Sequence, residues 1–274
     1  MEFHYVQFHE QIFKDFIENK MMVSTIKVAL LDMAATTVDD FVQKEGMQGK
    51  LPLVLAAYGS AFEKAGISMS FDELNACRGR NKLEVFQEKV IKYRTDLNPE
   101  EQNNLARALH DDEFVPALLA NVPYLTEISG TSETFSFLKN NGIYVATGSG
   151  FPQVVTDAIN EQLGWKAKGL VDYGTCGEAV GGGRPKPNMI NATLIAAGLL
   201  PEGIDKSKKQ EGFNYSILLK VGDTLEDIHE GKGVGALTVA VSSGTQSIET
   251  LVKAEPKVLL PSVAALPLYL KKHG

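Results

Sequence analysis

The chain has 274 residues, which is enough for one or two domains with a sizeable hydrophobic core. Its 44% hydrophobic and 22% charged residues are typical of a folded globular protein. A formal net charge of −7 argues against a nucleic-acid partner and gives no reason to expect binding to an anionic membrane, because both favour basic surfaces. The two cysteines, Cys77 and Cys176, suggest neither a disulfide framework nor a zinc site, so we expect a reducing compartment such as the cytoplasm. No apolar run approaches the roughly 18 residues that span a bilayer.

Residues 1–23 are the first predicted element, an N-terminal helical extension. Ile12, Phe13, Phe16 and Ile17 recur at helical spacing among charged residues, which predicts an amphipathic helix. The acidic residues exclude a mitochondrial presequence, and the interrupted apolar pattern excludes a secretory signal. We expect this helix to pack on the body of the protein or on a second subunit.

A short apolar run over residues 26–31 ends at Asp32 and is followed by small and hydroxylated residues. Its composition predicts a fully buried strand, and in parallel α/β sheets reactive groups gather at the carboxyl ends of strands. We therefore interpret Asp32 as an acid delivered to an active site. Because Asp is also a common helix N-cap, a capping role is the alternative on this stretch alone.

Residues 42–123 are predicted to be almost wholly helical. Helices are expected over residues 51–65, 82–94 and 99–119, and Ser70 begins a capping-box sequence. No strand pattern interrupts them, so this block is interpreted as a helical unit inserted into an α/β chain.

From residue 124 onward, strands and helices alternate. Strands are predicted at residues 143–147, 170–173, 217–221 and 237–241, separated by helices over 131–140, 152–163 and 189–197. This rhythm implies βα units and a mainly parallel sheet. We predict a Rossmann-like α/β core formed by residues 24–41 and 124–274, with the helical block as a second unit.

Reactive side chains follow four of the apolar strands or their connections: Asp32, then Thr147 with Ser149, then Arg184 in a Gly-Arg-Pro-Lys-Pro segment, then Asp223 and Asp227. Taken singly, each segment has an ordinary explanation, because Gly-Asp-Thr is a common turn and Arg-Pro-Lys-Pro suits a solvated loop. Taken together, they predict one site at the carboxyl edge of the sheet.

Three carboxylates around one point are costly unless a cation lies among them, and a hard ion such as Mg²⁺ takes carboxylate and backbone carbonyl oxygens. We therefore predict Asp32, Asp223, Asp227 and the Ala34 carbonyl as ligands of Mg²⁺. Phosphoryl oxygens need a cluster of donors because phosphoryl transfer is catalysed mainly by electrostatic stabilisation. The candidate donors are the loop at Ala35 and Thr36, the hydroxyl of Thr147 or Ser149, and the guanidinium of Arg184.

Four segments carry a family resemblance: Asp32-x-Ala-x-Thr, a strand-end Thr or Ser, Arg184-Pro-x-Pro, and Gly-Asp223-Thr-x-x-Asp227. Their order resembles the four motifs of the haloacid dehalogenase superfamily of aspartyl-nucleophile hydrolases. The resemblance implies that Asp32 is the nucleophile and that residues 42–123 form a helical cap of the C1 type. The arginine in the third motif is similar to the version found in the phosphonatase group.

The residue two positions after the predicted nucleophile is Ala34, where ordinary phosphatases of the superfamily carry a second Asp as acid and base. The methyl group of Ala34 can neither donate nor accept a proton. The pattern resembles the phosphonatase group, in which a cap lysine forms an imine with the substrate aldehyde. Lys82 is the candidate for that lysine, with Arg78 and Arg80 as cations that depress its pKa or bind the substrate. The ordinary alternative is a solvated lysine on a helix surface.

Two residues depart from the phosphonatase pattern. Family members have a histidine three residues after the imine-forming lysine, where this chain has Val85, and a glycine where it has Ala35. The first hypothesis is a Mg²⁺-dependent hydrolase that cleaves the P–C bond of phosphonoacetaldehyde or a related phosphonate. The alternatives are a phosphatase acting on a small phosphorylated metabolite and a protein that binds a phosphorylated ligand with little turnover. The resemblance also implies a homodimer paired through the caps.

Overall fold

The computed structural model describes residues 26–42, 51–78, 80–244 and 246–273. The predicted helix over residues 1–23 lies outside the described residues. The strands are β1 Val28–Asp32, β2 Val38–Asp39, β3 Phe41–Val42, β4 Leu51–Pro52, β5 Thr126–Glu127, β6 Tyr144–Ser149, β7 Tyr173–Cys176, β8 Leu218–Gly222, β9 Leu237–Val241 and β10 Val258–Leu260.

Six of these strands form one sheet in the order β10-β9-β8-β1-β6-β7, and all of its neighbouring pairs are parallel. The first strand in the chain, β1, therefore lies in the middle, between β8 and β6. Its register places Asp32 beside Gly148 of β6. The α/β fold class with a parallel sheet is confirmed, and the sheet order gathers the carboxyl ends of β1, β6 and β8 at one edge.

The helices are α1 Leu53–Lys64, α2 Phe71–Asn75, α3 Lys82–Tyr93, α4 Pro99–Ala108, α5 Val115–Asn121, α6 Thr131–Asn140, α7 Gln153–Gln162, α8 Asn188–Ala196, α9 Leu225–Val234, α10 Ile248–Lys253 and α11 Leu266–His273. Successive residues of β1 point to opposite faces of the sheet. Ala29 and Leu31 pack in the core on the side of α6, α7 and α11, and Val28 and Leu30 pack on the side of α8. Because both faces are covered, β1 is apolar throughout its buried length.

The helical block is built from α1 to α5, and its start and end pass through β2 and β5, which pair antiparallel with each other. Four aromatic rings from α1, α3 and the turn after α4 form its centre: Tyr58, Phe62, Phe86 and Phe114. The predicted capping box is present at the start of α2, and a second capping box forms at the start of α4. The division of the chain into core and cap domains stays a prediction.

The structure differs from the predicted elements in three places. The strand expected at residues 170–173 is shifted to β7, and the helix expected over 99–119 is interrupted by a π-helical turn, Leu109–Phe114. Two-residue strands, β3 and β4, lie at the start of a block predicted without strands. These features depend on contacts with distant segments, which local periodicity does not report. Within the described residues, no helix combines the length and the apolar character that crossing a membrane requires.

Candidate active site

Three carboxylates meet at the carboxyl edge of the sheet. Asp32 ends β1, Asp223 directly follows β8, and Asp227 lies in the first turn of α9. Each offers an oxygen within 4.8 Å of the others, and all three side chains are buried. The structure therefore brings together the three acids that the motifs placed at one point.

The turn between β8 and α9 brings Asp223 and Asp227 close together. Thr224 is the N-cap of α9, and its hydroxyl and the carboxylate of Asp227 form a reciprocal capping box. A Cβ on Gly222 would lie 2.1 Å from Cγ of Asp227. Only glycine allows that approach, so the Gly-Asp-Thr sequence is required by the local geometry as well as by the chemistry.

Arg184 connects the carboxylates to the sheet. Its guanidinium donates to Oδ1 of Asp32 at 2.6 Å and to the carbonyl oxygen of Gly148 at 2.9 Å, and its Nε lies 3.2 Å from Oδ1 of Asp227. Burial raises the pKa of Asp32, and Arg184 opposes that rise. Arg184 therefore favours the ionised form of Asp32, which is the form that can act as a nucleophile.

A second buried cation, Lys220, was missed in the sequence. It lies inside β8 with no exposed surface, and its Nζ is 2.6 Å from Asp227 and 3.5 Å from Glu230. Burial alone would raise the pKa of Asp227, but Arg184 and Lys220 outweigh it and lower that pKa. The signal was a lysine within an otherwise apolar strand, because a charged residue there needs a buried partner.

Lys82 occupies the first turn of α3, and its side chain is buried. Its Nζ lies 5.7 Å from the ring centre of Tyr58 and 5.9 Å from that of Phe151. Burial lowers the pKa of Lys82 to about 7, and the charges of Arg78 and Arg184 contribute. The alternative of a solvated surface lysine is therefore wrong for this residue.

The two arginines predicted beside Lys82 point in different directions. Arg78 is buried, and its guanidinium lies 3.6 Å from Oδ2 of Asp223. Arg80 instead forms an ion pair with Glu88 at 2.6 Å on the surface of α3 and lines no pocket at the site. The contribution of Arg80 to substrate specificity stays a prediction.

Both residues predicted to offer a hydroxyl, Thr147 and Ser149, lie on β6, and of the two only Ser149 lines the pocket beside Asp32. The Thr147 hydroxyl instead donates to the side-chain oxygen of Asn160 on α7, at 3.4 Å. Residues two apart on one strand share a face, so the difference arises where the strand ends and the backbone turns. Ser149 is therefore the better placed of the two candidate donors, and a role for Thr147 stays a prediction.

The loop after Asp32 forms a tight turn. The amides of Ala35 and Thr36 donate to the carbonyls of Val38 and Met33, so the tight turn uses them itself. The Thr36 hydroxyl donates to Asp223 at 3.0 Å and thereby orients a predicted metal ligand. Binding of a phosphoryl group by Ala35 and Thr36 stays a prediction. Ala35 has a φ of 60°, a left-handed conformation that glycine adopts at lower cost.

Two adjoining pockets open beside Lys82. The first, here named the carboxylate pocket, is lined by Asp32, Ala34, Val54, Arg78, Lys82, Ser149, Gly150, Phe151, Arg184, Asp223 and Thr224. The second, here named the imidazole pocket, contains His110 and Glu178 in its wall. Lys82, Ser149, Phe151 and Arg184 border both. Lys82 therefore lies at the boundary between the two.

The carboxylate cluster fits a divalent cation. Oδ2 of Asp223 is buried without a hydrogen-bond partner. Burial raises the pKa of Asp223 to about 8, although the positive charge of Arg78 acts to lower it. The negative charges of Asp32 and Asp227 also contribute to the rise. A hard cation with oxygen ligands would satisfy that atom and offset the repulsion between the carboxylates, so Mg²⁺ suits this donor set.

The chain is similar to curated and solved proteins over nearly its whole length. It is 26% identical to the phosphonoacetaldehyde hydrolase of Latilactobacillus sakei subsp. sakei strain 23K, over 92% of this chain and 90% of the relative. A phosphonoacetaldehyde hydrolase-like protein from Oleispira antarctica superposes with a TM-score of 0.68 at 21% identity, covering 91% of this chain and 92% of that one. A putative haloacid dehalogenase-like hydrolase from Bacteroides fragilis superposes with a TM-score of 0.62 at 16% identity, covering 88% and 99%. No family model matches the chain. The resemblance and the fold predicted from the four motifs are thereby confirmed.

Proposed function

Since the chain is a hydrolase of the haloacid dehalogenase-like superfamily, we propose that it is a Mg²⁺-dependent phosphonatase. Its substrate would be phosphonoacetaldehyde or a related phosphonate that carries an aldehyde. Lys82 would form an imine with the aldehyde, and Asp32 would attack phosphorus.

The observation that carries this proposal is the environment of Lys82. A nucleophilic amine must be neutral, and a pKa of about 7 leaves about half of the Lys82 side chains neutral at pH 7. A solvent-exposed lysine with a pKa of about 10.4 would have fewer than about 1 in 1000 neutral at that pH. The lysine also borders the pocket that contains Asp32, so one substrate can reach both groups.

The imine accounts for the absence of an acid at Ala34. When Asp32 attacks phosphorus, the P–C bond breaks and its electron pair moves into the iminium group, which gives an enamine on Lys82. Because the departing atom is a carbon stabilised in this way, no proton has to be delivered to a leaving oxygen. Water then hydrolyses the aspartyl phosphate. The enamine carbon takes a proton in place of the lost phosphorus, which regenerates the iminium, and a second water releases the aldehyde from Lys82. The methyl group of Ala34 in the wall of the carboxylate pocket is compatible with this reaction.

Arg184 would stabilise the phosphoryl group during both transfers. Its guanidinium contacts Asp32 and is buried, so its charge acts where little water screens it. The Ser149 hydroxyl, in the wall of the same pocket, is the candidate second donor. Asp32, Asp223 and the Ala34 carbonyl would hold Mg²⁺, with Asp227 as a further ligand. When bound, Mg²⁺ would supply positive charge against the phosphoryl oxygens.

Trapping of the imine tests the proposal. The protein is incubated with phosphonoacetaldehyde and Mg²⁺, phosphate release is measured, and borohydride is added before peptide mass analysis. We expect phosphate release and a reduced adduct on the peptide that contains Lys82. Lys82→Arg should abolish both, whereas Lys92→Arg, an exposed lysine of the same helix, should change neither. Asp32→Asn should stop phosphate release while the adduct still forms.

The same experiment separates this function from the alternative. If phosphate esters are hydrolysed and phosphonoacetaldehyde gives neither phosphate nor an adduct, the protein is a phosphatase. In that case the phosphonatase assignment is wrong, although Asp32 remains the nucleophile.

A further inference from the structure

The imidazole pocket places a histidine beside the boundary occupied by Lys82. His110 is 4% exposed and lies in the π-helical turn between α4 and α5. Turns of this type are rare and are frequently found at functional sites. Among the described residues that line the two pockets, His110 alone carries an imidazole.

Packing holds the His110 ring on the side of α3 that carries Lys82. The ring lies edge-on to Phe86 at 5.9 Å and stacks with Phe114 at 6.0 Å between centres. Phe86 follows Lys82 by one helical turn, so the two side chains share a face of α3. Tyr58 contacts both, with its ring 5.3 Å from that of Phe86 and 5.7 Å from the lysine nitrogen.

The neighbouring acid sets which nitrogen of the ring carries a proton. Nδ1 of His110 lies 2.6 Å from a carboxylate oxygen of Asp111. An ionised carboxylate only accepts hydrogen bonds, so Nδ1 is the donor and Nε2 is the basic atom of the neutral ring. The contact also fixes the orientation of the imidazole, as a second-sphere carboxylate does for a histidine at a metal site.

We propose that His110 is a catalytic residue that carries protons during imine formation at Lys82. This inference rests on the proposed phosphonatase function. It adds a residue that none of the four motifs contains, in a chain whose α3 has a valine, Val85, in the turn after Lys82.

Nε2 of His110 takes a proton from the Lys82 ammonium, the neutral amine attacks the aldehyde carbon, and the imidazolium returns that proton to the carbonyl oxygen. Nε2 then takes a second proton from the nitrogen of the adduct and delivers it to the hydroxyl, which departs as water while the C=N bond forms. Two protons leave nitrogen and two reach oxygen, and His110 ends neutral.

The charge environment of Lys82 suits this exchange. A proton leaves an acid more readily when the pKa of that acid is low. Burial lowers the pKa of Lys82 to about 7, so its ammonium gives up a proton far more readily than that of an ordinary lysine.

The rate of adduct formation tests the proposal. In a quenched-flow experiment with phosphonoacetaldehyde and borohydride, we expect His110→Phe to form the Lys82 adduct about 100-fold more slowly than the unaltered protein. The phenyl ring keeps the aromatic packing, so the melting temperature and competitive inhibition by inorganic phosphate should stay unchanged. His229→Phe, which alters an exposed histidine of α9, is the matched control and should leave the rate unchanged.

A second variant separates proton transfer from packing. His110→Ala should also be slow, and added imidazole should restore part of the rate, which a residue that acts by packing alone would not allow. If the unaltered protein forms the adduct and His110→Phe forms it equally fast, the role of His110 is overturned and the phosphonatase function stands. If the unaltered protein forms no adduct and releases no phosphate, both proposals are overturned.

Discussion

Replacing Lys82 by methionine should make the protein more stable while abolishing its activity. The folded pKa of Lys82 is about 7 against an ordinary value of 10.5, because burial and neighbouring cations disfavour the ammonium. Below pH 7 the lysine is protonated in both the folded and the unfolded chain, so the full cost of burying the charge acts against folding. Methionine has an unbranched chain of similar volume and carries no charge.

The size of the effect follows from the pKa difference. A difference of 3.5 pKa units corresponds to about 5 kcal/mol at 1.36 kcal/mol per unit, which is an upper bound for the gain below pH 7. Between pH 7 and 10.5 the unfolded chain binds the extra proton, so the stability of the unaltered protein rises with pH and the gain shrinks. With an unfolding entropy of about 0.6 kcal/mol per degree for a chain of this length, the largest expected rise in Tm is about 8 °C.

The assay is thermal unfolding of both proteins at pH 6, 7.5 and 9, with Lys92→Met as a control at an exposed position of the same helix. We expect the largest rise in Tm for Lys82→Met at pH 6, a smaller rise at pH 9, and little change in the control at any pH. A variant that is less stable than the unaltered protein at pH 6, or a gain that does not depend on pH, would refute the argument that Lys82 is held near neutrality by its buried environment.

Three further variants test other parts of the site. Ala35→Gly should raise stability by about 0.5–1 kcal/mol in urea unfolding, because it removes left-handed strain at φ 60°; a loss would contradict this. Lys220→Met should lower the free energy of unfolding by about 3–5 kcal/mol, because it removes the buried cation that pairs with Glu230. Adding Glu230→Gln should recover part of that loss, and strictly additive effects of the two substitutions would exclude the coupling. Ser149→Ala should lower kcat/KM for phosphate release about 10-fold, whereas Thr147→Val should leave it nearly unchanged; equal effects would show that the hydroxyls are not distinguished.

Local sequence patterns predicted the main strands and helices, because these elements depend on interactions between residues that are close in sequence. The apolar run before Asp32 gave a central strand, and the capping sequence at Ser70 gave the start of a helix. The alternation of strands and helices after residue 124 implied a parallel sheet, which the structure confirms. The features that were missed, such as the π-helical turn Leu109–Phe114, are stabilised by packing against other elements.

The residues of the site were less uniformly predictable. Asp32, Asp223 and Asp227 meet as expected, because the ends of neighbouring parallel strands converge whatever the details of packing. The roles of Arg80 and Thr147 stay predictions. In the structure Arg80 pairs with Glu88 and the Thr147 hydroxyl donates to Asn160, which are contacts that local sequence patterns do not report.

The sequence by itself determined that a carboxylate cluster stands at the edge of an α/β sheet and that no acid stands at Ala34. Only the tertiary structure decided that Lys82 is buried with a lowered pKa and that Lys220 supports Asp227 from within β8. It alone brought His110 to the pocket beside Lys82. The physical reason is that the charge state of a side chain depends on the dielectric environment and the charges around it, which distant segments of the chain supply.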